Sequence, residues 1–115
     1  MQYVLAYKSI EGIKELVDRL MEDGYHIFHG LNHINELKDK VIGICVDMDT
    51  KNVFQLNITC MASWCGGYRK PLYVEEVLKN YDTLIVKKDF NLYDSLIIEG
   101  SKDKDRPSGG IYRFN

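Results

Sequence analysis

The sequence predicts an α+β fold: one small domain in which two helices pack on a mostly antiparallel sheet. Three observations predict it. The apolar segments run strand, helix, strand, strand, strand, helix, strand, strand, without the regular alternation that builds a doubly wound parallel sheet. Two neighbouring segments with strand patterning flank a short polar turn, the mark of a hairpin. The 115 residues, 45% of them hydrophobic, suffice for one modest core and not for two.

"YVLAY" (3–7) reads as a buried first strand. Ser9 then suits a helix N-cap, and Glu11 in the first turn favours the positive end of the helix dipole. Ile10, Ile13, Leu16, Val17, Leu20 and Met21 recur at three-to-four spacing, so one face of a helix over 10–23 is apolar. Gly24 is a natural stop. "YHIFHG" follows as a second strand, and the polar "LNHINELKD" as a loop or short helical turn.

The hairpin joins 41–48 to 53–60 through "DTKN". Its second arm alternates: Phe54, Leu56, Ile58 and Cys60 on one face, Gln55, Asn57 and Thr59 on the other. Pro71 suits the start of a second helix over 72–81, with Val74, Val77, Leu78 and Tyr81 as its stripe and Glu75 with Lys79 as a helical pair. "TLIVKK" and "SLIIEG" are expected to close the sheet as strands. The expected core is Leu16, Val17, Leu20, Ile44, Val46, Phe54, Leu56, Ile58, Val77, Leu78, Leu84 and Val86. The domain is expected over 1–100, with 101–115 as a charged, glycine-containing tail too polar to join the core.

Charge and cysteine usage exclude several function classes. Fifteen basic residues against 17 acidic give a net charge of −2, so no bulk attraction to nucleic acid or an anionic membrane is expected. No apolar run approaches the roughly 20 residues that span a bilayer. The start carries no basic segment followed by a long apolar stretch, so no secretory signal is expected. Three cysteines, an odd number, argue against a disulfide framework, and the expected compartment is the cytoplasm.

"WCGGYRKP" (64–71) is the most unusual stretch. Gly66 and Gly67 let successive N–H groups face one concavity, which favours an anion. Arg69 offers a planar fork for phosphate, and Lys70 a second charge. Trp64 and Tyr68 offer faces on which a base can stack. The tail segment "RPSGGIYRF" repeats the set with Arg106, Ser108, Gly109, Gly110, Tyr112 and Arg113. These twelve residues form the candidate ligand site, weighed against an ordinary loop and a plain tail.

Two other constellations are weaker. Cys60 and Cys65, with His26, His29 or His33, could supply zinc ligands, but Cys60 continues the buried face of a strand and no second cysteine pair exists. No metal and no cofactor are expected. Asp47 and Asp49 end an apolar strand as Asp-x-Asp and resemble the nucleophile motif of the haloacid-dehalogenase phosphatases. That family needs a parallel sheet and a longer chain, and paired aspartates are ordinary turn chemistry. An enzyme is therefore not expected.

The opening "YVLAYKSIEGIKELVDRLMEDGYHIF" resembles the start of small accessory proteins of bacteriophages that infect Gram-positive bacteria. The resemblance implies a role such as countering host defence, by sequestering a nucleotide signal or by plugging a defence protein. It carries no site residue with it. The function expected is thus a non-catalytic protein that sequesters a phosphorylated nucleotide-type ligand, as a homo-oligomer. The alternative is a protein-binding inhibitor of a host protein, using exposed aromatics (Tyr68, Tyr73, Tyr93, Tyr112, Phe114) and the tail.

Overall fold

The computed structural model describes residues 2–27, 43–56, 64 and 70–106. They form an α+β domain. Its strands are β1 (Gln2–Ala6), β2 (His26–Ile27), β3 (Gly43–Asp47), β4 (Asn52–Leu56) and β5 (Leu72–Tyr73). Its helices are α1 (Ile10–Glu22), α2 (Val74–Lys79) and α3 (Phe90–Gly100), with a π-helical turn over Asp82–Val86 between the last two.

The sheet order is β2-β4-β3-β1-β5. β3 pairs antiparallel with β1 and with β4, the latter as the expected hairpin. The two edge strands pair parallel: β5 on β1, and β2 on β4. The sheet is therefore mixed, not mostly antiparallel, with β3 alone running against the other four. Both parallel pairings involve two-residue strands, too short to leave a period in the sequence.

α1 forms as its signals dictate. The Ser9 hydroxyl accepts the Gly12 N–H at 3.1 Å, and Gly24 leaves the helix at φ 89°. Glu75 of α2 reaches back to this cap, accepting the Lys8 N–H at 3.0 Å and the Ser9 hydroxyl. Gly12 lies so close that a β-carbon there would collide with the Glu75 carboxylate.

The second half departs from expectation. Leu72 and Tyr73 are a strand, so the helix expected over 72–81 begins at Val74. "TLIVKK" lies largely in the π-helical turn and "SLIIEG" in α3, where two strands were expected. Asp89 explains the second: its carboxylate accepts the N–H groups of Asn91 and Leu92, both at 3.1 Å, and starts a helix. "SLII" is the end of that helix, an apolar run whose length alone does not separate strand from helix.

The main core lies on one sheet face. Tyr3, Leu5, Ile44, Val46 and Val53 meet Ile13, Leu16 and Leu20 of α1, Val74 and Val77 of α2, and Leu84, Ile85 and Tyr93 beyond. Tyr3 stacks on Tyr93 with centroids 4.4 Å apart, and its hydroxyl donates to the Leu84 carbonyl at 3.1 Å. On the opposite face Val4, Cys45 and Leu56 are buried, with Phe54 and Trp64 packed against them. Of the expected core, Phe54 and Leu78 are half-buried and Val86 is 58% exposed, because the π-helical turn points it outward. Ile58 lies outside the described residues.

Candidate functional site

Of the twelve candidate residues, Trp64, Lys70 and Arg106 are described. Gly66, Gly67, Tyr68, Arg69, Ser108, Gly109, Gly110, Tyr112 and Arg113 lie outside the described residues, as do His29, His33, Cys60 and Cys65.

Lys70 and Arg106 come together. Residues 101–106 turn back after α3 through hydrogen bonds from Asp103 N to the Gly100 carbonyl, 3.1 Å, and from Arg106 N to the Asp103 carbonyl, 3.3 Å. Lys70 Nζ donates to the Asp103 carbonyl. Arg106 Nη1 donates to the Pro71 carbonyl at 3.3 Å and to the Glu76 carboxylate, with which it forms an ion pair. Glu76 also accepts the Tyr73 N–H at 2.9 Å, which fixes that carboxylate at the start of α2. The guanidinium lies 4.7 Å from the centroid of the Tyr73 ring and against Gly100. Its Nε is buried without a hydrogen bond among the described residues, the Asp103 carboxylate standing 3.9 Å away.

Arg106 is thus a clasp. It is 7% exposed, and it binds the first six residues after α3 to the start of α2. The sequence places it in a ligand site and in a polar tail over 101–115; residues 101–105 are exposed, and Arg106 alone of the described part of that stretch is buried against the domain. Partners 30 and 35 positions away leave no local signal of this. Trp64 sits elsewhere, against the second sheet face.

Asp47, the first aspartate of the Asp-x-Asp pair, is committed to structure. Asp47 Oδ1 accepts the N–H groups of Asp49 at 3.0 Å and Thr50 at 3.3 Å, and Gln2 donates to Oδ2 at 3.3 Å. The Gln2 side chain first, then these backbone donors, hold its carboxyl below the ordinary range. It is the hinge of the β3–β4 turn. Cys45 is 1% exposed, and burial first, then Asp47, pushes its thiol up to about 12. Burial likewise pushes up the hydroxyls of Tyr3, Tyr25, Tyr73 and Tyr81.

A second feature was not foreseen. The Tyr81 hydroxyl donates to the Asp23 carboxylate, and Arg19 lies 3.9 Å above the Tyr81 ring. On one side of this contact lies a cleft lined by Asp23, Tyr25, Lys51, Ile85, Val86 and Lys88. Among the described residues no group of three or more His, Cys, Asp or Glu side chains is placed to hold a metal ion, and no helix is long and apolar enough to cross a membrane. The chain matches no known protein family, no curated protein and no solved structure.

Proposed function

We propose that the protein is a non-catalytic binding protein that sequesters a phosphorylated, nucleotide-type ligand. One observation carries the reading. Lys70 and Arg106 are tied at the 103–106 turn, so the "WCGGYRK" stretch ends where the "RPSGGIYR" stretch begins. Each stretch contains, in its sequence, a glycine pair, an aromatic and an arginine. With Arg106 spent on the clasp, Arg69 and Arg113 carry the phosphate contacts, and Tyr68 or Tyr112 stacks on the base. In the setting that the resemblance implies, the ligand is a nucleotide signal of host defence.

The test is calorimetry and thermal shift with a panel of cyclic and linear nucleotides. Three proteins are compared: the full chain, Arg69→Ala, and a chain ending after Arg106, which keeps the clasp. The expected result is one nucleotide that binds the full chain, with Arg69→Ala weakened about tenfold or more, the worth of one charge-assisted contact. No binding by any nucleotide refutes the reading, and so does unchanged affinity in both altered proteins.

A second reading is a protein-binding inhibitor; of its expected exposed aromatics Tyr93 is buried against Tyr3 and Tyr73 is half-buried beneath Arg106, and a different observation favours it. α3 presents Phe90 at 40% exposure and Ile98 at 60%, side chains of the kind that anchor an interface. Native mass spectrometry after purification from the producing cells distinguishes a bound foreign chain from a homo-oligomer and from a small bound molecule.

A further inference from the structure

Two residues take a backbone conformation that side-chain-bearing residues avoid, and both are lysines. Lys51 has φ 55° and Lys88 has φ 54°, the only positive-φ positions other than glycine among the described residues. In each case the turn demands the conformation. Lys51 closes the β3–β4 turn, where its carbonyl accepts the His26 N–H at 2.8 Å. Lys88 reverses the chain after the π-helical turn, so that the Asp89 N–H reaches the Thr83 carbonyl at 3.0 Å and α3 can begin. Glycine meets both demands with no steric penalty, and asparagine meets them with little. The backbone therefore explains the left-handed conformation but not the lysines.

The two positions are far apart in sequence yet line one cleft of about 340 Å³, with Asp23, Tyr25, Ile85 and Val86. Strained residues that gather at one concavity point to a site. Lys51 Nζ is held there by the Asp23 carbonyl at 3.4 Å and lies 5.8 Å from the centroid of the Tyr25 ring. Lys88 is exposed, and its ammonium has no hydrogen bond or ion pair among the described residues. Against these two cations stands one carboxylate, Asp23, which already accepts the Tyr81 hydroxyl. Ile85 and the exposed Val86 supply an apolar wall.

We propose that this cleft binds a small organic anion with a flat ring, its phosphate or carboxylate between Lys51 and Lys88 and its ring against Tyr25 and Val86. The volume sits at the low end of small-molecule sites and suits a molecule no larger than about a mononucleotide. The site involves neither the 64–70 stretch nor the clasp, so it stands or falls apart from the function proposed above.

The test uses the full chain, isotope-labelled for amide NMR, titrated with phenyl phosphate, benzoate and inorganic phosphate. The expected result is saturable shifts at the amides of residues 23–25, 51 and 85–88, with phenyl phosphate or benzoate binding more tightly than inorganic phosphate. Which of the two binds more tightly identifies the anionic group. Lys51→Gly and Lys88→Gly should each weaken binding about tenfold, the loss of one charge-assisted contact, while the melting temperature holds or rises. The proposal is overturned if those amides do not shift, or if the glycine variants bind as the native chain does. It is equally overturned if the variants lose stability and binding together, since the lysines would then be structural.

Discussion

Gly100→Ala should change sign depending on what stands at position 106. Gly100 ends α3, and a β-carbon built on it falls 2.9 Å from both Cζ and Nη1 of Arg106. That is closer than packed carbon atoms approach, so the guanidinium must move. Moving it weakens the bonds to the Pro71 carbonyl and the Glu76 carboxylate. Charge-assisted bonds of this kind contribute about 1.5–3 kcal/mol each, against a helical gain from alanine of roughly 0.5–1 kcal/mol. A partial loss gives a net destabilisation of about 1–2 kcal/mol in the native chain. Arg106→Ala alone should cost about 2–4 kcal/mol, from those bonds and the stacking on Tyr73. Glu76 keeps the Tyr73 N–H, which limits the penalty for the carboxylate left behind. In the Arg106→Ala background the clash is gone, and Gly100→Ala should return roughly 0.5–1 kcal/mol. The coupling is then about 1.5–3 kcal/mol, read from urea midpoints of the four proteins by circular dichroism. Additivity within about 0.5 kcal/mol, the scatter of independent sites, would refute the clasp.

Asp89→Ala should destabilise by about 0.5–2 kcal/mol through loss of the α3 cap, while Asp89→Asn should retain most of it; equal losses in urea melts would contradict the capping account. Asp47 has a folded pKa below its unfolded one, so its contribution is present above about pH 4 and fades as pH falls through the lower folded value. Asp47→Ala should therefore flatten the fall of stability below about pH 4, and an unchanged acid limb in midpoints measured across that range would count against it. With Cys60 and Cys65 replaced by serine, Cys45 should react with a thiol reagent at pH 8 only at the rate of unfolding. Rapid labelling of the native protein would contradict its burial.

The parts of the fold that were legible in the sequence carry their causes locally. Ser9, the apolar stripe and Gly24 sit within one helix length, and alternation through Phe54 and Leu56 marks β4 without reference to the rest of the chain. The "SLIIEG" segment reads as a strand because the decisive feature is a single carboxylate, Asp89, ahead of an apolar stretch that satisfies either period. Tyr93, Leu96, Ile97 and Gly100 do recur at helical spacing, so the signal was present. The parallel edges could not be read, since pairing Leu5 with Leu72 depends on strands that meet only in three dimensions. The same holds at the site. Lys70 and Arg106 were named for their charge, which is correct chemistry, but the partner that Arg106 uses is Glu76 of its own chain. Lys51 and Lys88 drew no notice, because a left-handed lysine looks like any other lysine in a sequence.

The Tyr3 ring and hydroxyl have a consequence for how the chain matures on the ribosome. β1 is made first, but Tyr3 donates to Leu84, 81 positions later, and stacks on Tyr93. At roughly 5–20 residues per second, the first strand waits about 4–20 s for those partners to be made. Before that, β1 can pair with β3, whose residues arrive midway, and then with β5, whose residues arrive shortly before Leu84. Vectorial synthesis therefore lets α1 and α2 cover their share of the sheet face first, and the part around Tyr3 is the last to close, once α3 brings Tyr93.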